Sequence, residues 1–239
     1  MGKPKFYDFC VHAVPDGENT IEQLTALARY FGYSGIALAN HSDKLPQSWP
    51  ELPSTNEFEV FRGIELVEEN PSKLHGLIGK FRKSVDVLIV HGGSEAVNRA
   101  ALENPRVDIL NHPAFDKSSG LNQVLAKAAA ENDVAIGLTL RPLLHSRGPR
   151  RVHLLSDLRA NLDLARKYDV PLVLSSDAIS CFDLRSPMEV LALAEICGLE
   201  EQEALEAMTT VPERIISRNS PGPGYIREGI EVLEGGDYF

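Results

Sequence analysis

Cysteine is scarce and unpaired: the 239-residue chain has three, Cys10, Cys181 and Cys197, and no two form a CxxC pair. An odd count without framework spacing excludes a disulfide scaffold and suits a reducing cytosol, so a cytoplasmic location is expected. No run of about 18 apolar residues occurs, so no membrane span is expected. The first residues, MGKPKFYDFCV, lack the apolar stretch of an export signal. Neither GxGxxG nor GxxxxGK[ST] is present, which leaves a nucleotide-binding fold unsupported. A basic excess is missing too. Lys and Arg number 24 against 34 Asp and Glu, a formal charge of −10. Binding nucleic acid through overall charge is thereby disfavoured, although a local basic patch is not. No solenoid period and no internal linker interrupt the chain.

What is present is a hydrophobic content of 43%, sufficient for a full-sized core. The length fits one α/β barrel or two small domains. The organising stretch is residues 85–113, VDVLIVHGGSEAVNRAALENPRVDILNHP. Two apolar runs, Val85 to Val90 and Val107 to Leu110, each begin Val-Asp and end at a histidine, His91 and His112. Ser94 to Glu103 reads as a helix, entered through Gly92-Gly93 and stopped by Asn104-Pro105. Short strands apolar on both faces belong in a buried parallel sheet. Such a unit brings both strand ends to one rim, where active sites of α/β folds sit.

The remaining chain repeats this alternation. Lys5 to Val11 is a strand ending at His12, and Asn19 caps a helix with Glu22 three residues on. Gly35 to Ala39 is a strand ending at Asn40-His41, followed by a long proline-bearing loop (42–57) with the only tryptophan, Trp49. Phe58 to Leu66 is a strand carrying Glu65, and Ser72 to Lys83 a helix. Gly120 to Asn132 is helical and Val134 to Leu140 a strand. An arginine-bearing loop follows, then a helix from Leu154 to Tyr168. Pro171 to Ser175 is a strand ending at Ser176-Asp177. Ser186, Pro187 and Glu189 open a helix that Gly198 closes. Two short helices complete a compact region, residues 1–219, and 220–239 reads as a tail or strap. Seven strands alternating with helices predict a TIM-like (β/α) barrel, seven-stranded and distorted. An open doubly wound sheet is the alternative.

The strand ends carry His12, His41, Glu65, His91, His112 and Asp177, with Asp8 earlier in the first strand. Imidazoles mixed with carboxylates are the ligand chemistry of Zn²⁺, Mn²⁺ or Fe²⁺. Two or three such ions could bridge a phosphate and activate water. A lone histidine at a strand end is usually structural. Six metal-type residues at strand ends point to a present or ancestral metal site.

The order of these strand-end motifs resembles the PHP phosphoesterases, distorted seven-stranded barrels with a trinuclear metal site. His12 matches the second histidine of their His-x-His motif, His41 their Asp-His motif and Glu65 their glutamate. His112 matches their His-Pro motif and Asp177 the start of their Asp-x-His motif. The chain departs from the pattern at Cys10, Asn40 and Ile179, each where a ligand would stand. The resemblance with these losses implies that at least one complete metal site is gone.

A more extensive likeness covers nearly the whole compact region. FYDFCVH, VDVLIVHGG through NRAALENPRVDILNHP, SGLNQVLAKAAAENDVAIGL, and PLVLSSDA with DLRSPMEV together resemble the archaeal ribonuclease P protein component 3 family. Its eukaryotic relatives are the thirty-kilodalton subunits of nuclear ribonuclease P. The resemblance implies a TIM-like, PHP-like barrel that serves as a protein subunit of that enzyme. In this reading the subunit assists the catalytic RNA as it removes 5′ leaders from precursor tRNA. It also implies pairing with the small RRM-like component 2, Mg²⁺ held by the RNA, and no cofactor firmly bound to this chain. One mismatch is Phe115-Asp116, where family members often carry a basic residue.

Surface candidates for RNA or partner contact are Arg141, Arg147, Arg150 and Arg151, since arginine forks suit phosphate oxygens. Lys80, Arg82, Lys83, Arg99 and Arg106 are further candidates. For Lys80, Arg82 and Lys83 the helix dipole alone would favour cations there, and Arg99 would serve equally in a salt bridge. Trp49 and its loop suit either a partner surface or a lid on the barrel. Three readings stand: a non-catalytic ribonuclease P subunit, a PHP-type metal-dependent phosphoesterase, and a barrel that only binds proteins.

Overall fold

The computed structural model describes residues 4–46, 48–114 and 119–220, and the backbone of 225–227 and 230–231. The compact part runs β1 (Tyr7–Val11), α1 (Ile21–Phe31), β2 (Gly35–Leu38), β3 (Glu59–Leu66), α2 (Pro71–Phe81), β4 (Val87–His91) and α3 (Glu95–Leu102). It continues with β5 (Ile109–Asn111), α4 (Gln123–Glu131), β6 (Ala135–Thr139), α5 (Arg141–His145), α6 (Gly148–Tyr168) and β7 (Leu172–Ser175). The helices α7 (Pro187–Cys197), α8 (Glu201–Met208) and α9 (Thr210–Asn219) end it. The seven strands are parallel and ordered β1 to β7. A parallel bridge, Val11 to Ala178, joins the two edges. There His12 N–H donates to the Ala178 carbonyl at 2.8 Å and Ala178 N–H to that of Cys10 at 3.2 Å. The sheet is therefore a closed barrel, and the open-sheet alternative does not hold.

Strand side chains alternate between two faces, and here both faces are apolar. Phe9, Ala37, Phe61, Val87, Ile89, Ile109, Ala135 and Val173 fill the barrel interior, with Ile215 of α9 packed among them. Ile36, Ile64, Leu88, Leu110, Ile136 and Leu174 point outward onto Leu24, Leu74, Ile78, Leu125, Leu162 and Val190 of the helices. The interior phase fixes what reaches the mouth. Ala37 and Ala39 are followed by His41, Phe61 and Gly63 by Glu65, Val87 and Ile89 by His91, and Val173 and Ser175 by Asp177.

The repeated Val-Asp that starts the two strands of the organising stretch has a use at the opposite end. Asp108, 1% exposed, accepts from Leu88 N–H at 2.7 Å, Arg82 at 2.6 Å, Arg218 at 2.7 Å and Asn219 at 2.9 Å. Asp86 accepts from Arg62 N–H at 2.8 Å. These bonds bind α9 and the end of α2 beneath the strands.

Several expectations shift. The cap of α1 is Thr20, which accepts from Gln23 N–H while the Gln23 side chain accepts from Thr20 N–H at 3.1 Å. The side chain of Asn19 is used elsewhere, accepting from Cys181 N–H at 2.8 Å. The arginine-bearing segment 141–151 is not a loop. It holds α5 and the first turn of α6, because Pro142 and Pro149 each fall in a helical first turn, where no backbone N–H is missed. The 42–57 loop is a lid, its Leu45, Trp49 and Leu52 packing on the core and the Arg62 guanidinium lying 5.3 Å from the Trp49 ring. Beyond Asn219 the chain includes a short antiparallel pair, β8 (Tyr225–Arg227) with β9 (Ile230–Glu231), where the sequence reading has no strand. Phe115 and Asp116 lie outside the described residues.

Candidate functional site

The strand-end residues meet in one polar layer across the C-terminal mouth. His12, His41, His91 and His112 form an arc of imidazoles, with ring centroids 4.8, 5.7 and 4.7 Å apart in that order. Glu65 lies beneath them, fully buried, its Oε1 2.9 Å from His91 Nδ1. Asp177 closes the layer, with Oδ1 3.4 Å from His12 Nε2 and Oδ2 3.6 Å from His112 Nε2. His112 and Asp177 hold left-handed backbones, φ 47° and 59°. Non-glycine residues in this region are held there by their surroundings, and here the turn aims both side chains into the mouth.

Residues not singled out from sequence complete the layer. Asp16 Oδ2 is 2.9 Å from His12 Nδ1 and 2.7 Å from His41 Nδ1, and Oδ1 accepts from Lys44 at 3.0 Å. Asn111 donates to Cys10 Sγ at 3.2 Å, and Thr139 Oγ1 is 3.4 Å from His112 Nδ1. Interior alternation was the available signal for two of them: Asn111 follows Ile109, and Thr139 follows Ala135 and Gly137. Asp16 sits in a turn, outside any period.

Burial and charge set the protonation states. Burial opposes a charged His12, yet its bonds to Asp16 and Asp177 and the charge of Glu65 outweigh it, raising the imidazole to about 9. His112 is raised likewise, against burial, by Asp177 and Glu65. For Asp177 burial works against the carboxylate, but His112 and His12 hold it well below the usual range. Glu65 is lowered against its burial by His91, His112 and His12. Burial, then Glu65 and Asp177, push the Cys10 thiol well above its ordinary value.

The ligand set of a three-metal hydrolytic centre does not fit this mouth. Asn40 turns its amide away: Oδ1 accepts from Ala13 N–H at 2.9 Å and Nδ2 donates to the Ala13 carbonyl at 2.8 Å. Ile179 supplies no ligand atom. Among the described residues, Cys10, His12, Glu65 and Asp177 do bring four donor atoms together.

The basic candidates fall in different places. Arg147 and Arg150 are exposed, with no hydrogen bond or ion pair to any described residue. Arg141 Nε lies 3.4 Å from Asp183 Oδ2, and Arg151 donates to the Leu143 and Leu144 carbonyls at the end of α5. All four stand on the mouth side, after β6. A cleft of about 200 Å³ opens there between His112, Thr139 and the α6 residues Leu154 and Leu158. Arg82 is held at the other end of the barrel by Asp108. Lys83 is exposed, and Lys80 lies 4.7 Å from the Phe81 ring centroid. Arg99 pairs along its own helix with Glu95 at 2.9 Å and Glu103 at 3.4 Å, and Arg106 contacts Asn104.

A closed seven-stranded barrel with a polar mouth and an exposed arginine pair defines a class that comparison with known proteins makes specific. The model of the family "RNase P subunit p30" matches residues 5–221. The chain is 88% identical to ribonuclease P protein component 3 of Methanosarcina barkeri and 81% identical to that of Methanosarcina mazei, over 100% of each chain. Among solved structures, the chain is similar to one from the "cryo-EM structure of archaeal Ribonuclease P with mature tRNA", with TM-score 0.78 and 26% identity over 96% of this chain and 100% of that one. A prolidase complexed with N-methylphosphonate-L-proline, 12% identical with TM-score 0.57 over 95% of this chain and 78% of its own, shares the fold alone. The chain belongs to the RNase P subunit p30 family. It is a protein subunit of ribonuclease P with a role in tRNA processing, works with RNA and protein partners, and is not itself the catalyst. Among the described residues no helix is long and apolar enough to cross a membrane.

Proposed function

We propose that this subunit assists the catalytic RNA in removing 5′ leaders from precursor tRNA, paired with component 2, and that it touches RNA phosphate through Arg147 and Arg150. Mg²⁺ for the cleavage step resides with the RNA. One observation carries the RNA contact. Arg147 is the residue before α6 and Arg150 lies in its first turn, a helix of 21 residues with no acidic residue in that turn and no side-chain cap. The helix dipole disfavours cations there and favours an anion. Two arginines without a partner among the described residues, held against that field in a chain of charge −10, support contact with a phosphate backbone.

Reconstituted cleavage tests the reading. The purified chain alone should leave precursor tRNA intact and should stimulate cleavage only with the RNA and component 2 present. Robust cleavage by the RNA-free chain would overturn the subunit role. Arg147→Ala with Arg150→Ala should weaken RNA association and lower the salt dependence by roughly 0.7–0.9 per lost phosphate contact in log–log slope. An unchanged slope would remove these two residues from the RNA interface.

A further inference from the structure

We propose that the cleft between the ends of β5 and β6 and the first half of α6 takes the guanine base of an unstacked RNA nucleotide, read by Asp157 and Asn161. The cleft measures about 200 Å³. Sites for whole small molecules are larger, at about 300–1,000 Å³, so this one suits a single planar ring system. Its walls are mainly apolar, formed by Pro113, Pro142, Leu143, Leu154 and Leu158.

Two side chains in the wall leave acceptors unused. Asn161 is 5% exposed, and its Nδ2 donates to the Ser119 carbonyl at 2.8 Å, which fixes the orientation of the amide. Its Oδ1 is buried and has no hydrogen-bond partner. Buried polar groups are seldom left so, and in the wall of a cleft such an atom marks where the donor of a ligand would lie. Asp157, one turn earlier, lines the same cleft and has no hydrogen bond or ion pair to any described residue. The remaining polar side chains of the lining, Thr139 and His112, lie 3.4 Å from each other. A ligand that satisfies Asp157 and Asn161 must bring adjacent donors on a flat, otherwise apolar body.

The four RNA bases differ in this respect. Guanine carries N1–H and the N2 amine side by side. They meet a carboxylate in two parallel bonds and leave one amine hydrogen for Asn161. Adenine and cytosine place a ring-nitrogen acceptor beside their amine, and uracil flanks its N–H with two carbonyls. Each of these would set an acceptor against Asp157. Unstacked bases are the ones read through this edge in RNA recognition.

The same helix carries a partner for the rest of the nucleotide. Arg150, Leu154, Asp157, Leu158 and Asn161 recur at i, i+4, i+7, i+8 and i+11, one stripe of α6. Arg150 lies about 10 Å along the axis from Asp157, at roughly 1.5 Å per residue, a span comparable with that from a base edge to its own phosphate. A guanidinium from a protein partner would also fork onto Asp157. Arg147 and Arg150, two turns and one turn before Leu154, oppose a second cation there and favour a ligand that bears an anion. The phosphate end of the site rests on the reading of these arginines as RNA contacts; the base end stands on the cleft alone.

The test titrates the full chain with guanosine, inosine and adenosine monophosphates by ligand-observed NMR. The guanosine nucleotide should bind, and inosine, which lacks the N2 amine, should bind about 10-fold or more weakly. Adenosine should be weaker again. Asp157→Asn should shift the preference to xanthosine monophosphate, whose O2 accepts from the amide where guanine donates, so a gain of binding reads the contact. A photoactivated 6-thioguanosine monophosphate should label the α6 segment 154–161 of the free chain and should fail to label it in the reconstituted holoenzyme, where RNA fills the cleft. Equal affinity for the three nucleotides, or none at millimolar concentration, overturns the base site, a result independent of any variant's folding. Binding of arginine amide in preference to the guanosine nucleotide overturns it in favour of a protein arginine, and labelling that persists in the holoenzyme does so in favour of a free nucleotide. The phosphate reading fails separately: base discrimination that persists while Arg147→Ala with Arg150→Ala leaves the salt slope unchanged removes those two residues and keeps the cleft.

Discussion

Replacing Asp108 with alanine tests what holds the lower end of the barrel. The carboxylate is 1% exposed and takes one charged hydrogen bond from Arg82, 15% exposed, and one from Arg218, 30% exposed. It also accepts from Asn219 and from Leu88 N–H. Removing one member of a buried ion pair leaves its partner's charge uncompensated, at about 3–5 kcal/mol. Two arginines lose their partner here, but Arg218 is the more solvated and keeps Asp133 at 3.0 Å. The lower half of that range, about 3–4 kcal/mol, is the expected loss. Urea unfolding followed by Trp49 fluorescence would read it as a midpoint lowered by roughly 1 M for a slope near 3 kcal/mol/M. Arg82→Met with Asp108→Leu should recover only the Arg82 share of the loss, because apolar residues replace that buried pair at little cost while Leu88 N–H, Arg218 and Asn219 still lack their acceptor. A shift below about 0.3 M for Asp108→Ala would refute the reasoning. The same experiment assigns Arg82. If its task is Asp108, Arg82→Met leaves the salt dependence of RNA association unchanged.

Three further outcomes follow from the geometry. A Cβ at Gly137 would collide with the Asn111 side chain, so Gly137→Ala should cost about 1–3 kcal/mol by overpacking, read from thermal melts. Asp183 has its carboxyl held below its ordinary value of 3.8; burial works against this, but bonds from His145 and the Ser180 and Ile179 N–H groups prevail. A lowered folded value means stability fully present above the ordinary value and lost as pH falls through the folded one. Melting temperature below pH about 4 should therefore fall less steeply in Asp183→Asn than in wild type. Equal slopes would show that Asp183 is not a source of acid sensitivity. Arg99→Ala removes only two exposed pairs within one helix and should leave the urea midpoint unchanged to within about 0.3 M.

The barrel was legible because its strands obey a simple rule: apolar on both faces and ended by a polar residue. That rule located His12, His41, Glu65, His91, His112 and Asp177 before any coordinates. The turns were less legible. Asp16 joins His12, His41 and Lys44 from a segment with no periodicity. Asn19 and Thr20 are adjacent residues of near-equal capping strength, and tertiary demand from Cys181 N–H decided between them. The arginine segment read as a loop since its two prolines look like breakers, although each occupies the one helical turn that tolerates proline. Arg82 looked like a surface cation on a helix end. Its engagement by Asp108 depends on a contact 26 residues distant, which local pattern does not encode.

The mouth and the arginine pair divide the molecule's chemistry in a way that suits a cofactor protein. The side chains of His12, Asp16 and Glu65 are 0–1% exposed and Asp177 8%, while His41, His91 and His112 show 18%, 37% and 21%. From outside, the layer offers imidazole edges over buried carboxylates. A phosphate entering it would meet Asp16, Glu65 and Asp177, carboxylates already engaged by Lys44 and by the raised His12 and His112 imidazoles. Arg147, just before α6, and Arg150, in its first turn, have no hydrogen bond or ion pair among the described residues and lie beside the mouth, where the helix field attracts an anion. In the proposed RNA contact the anion-favouring start of α6 carries Arg147 and Arg150, so RNA would meet the flank of the barrel.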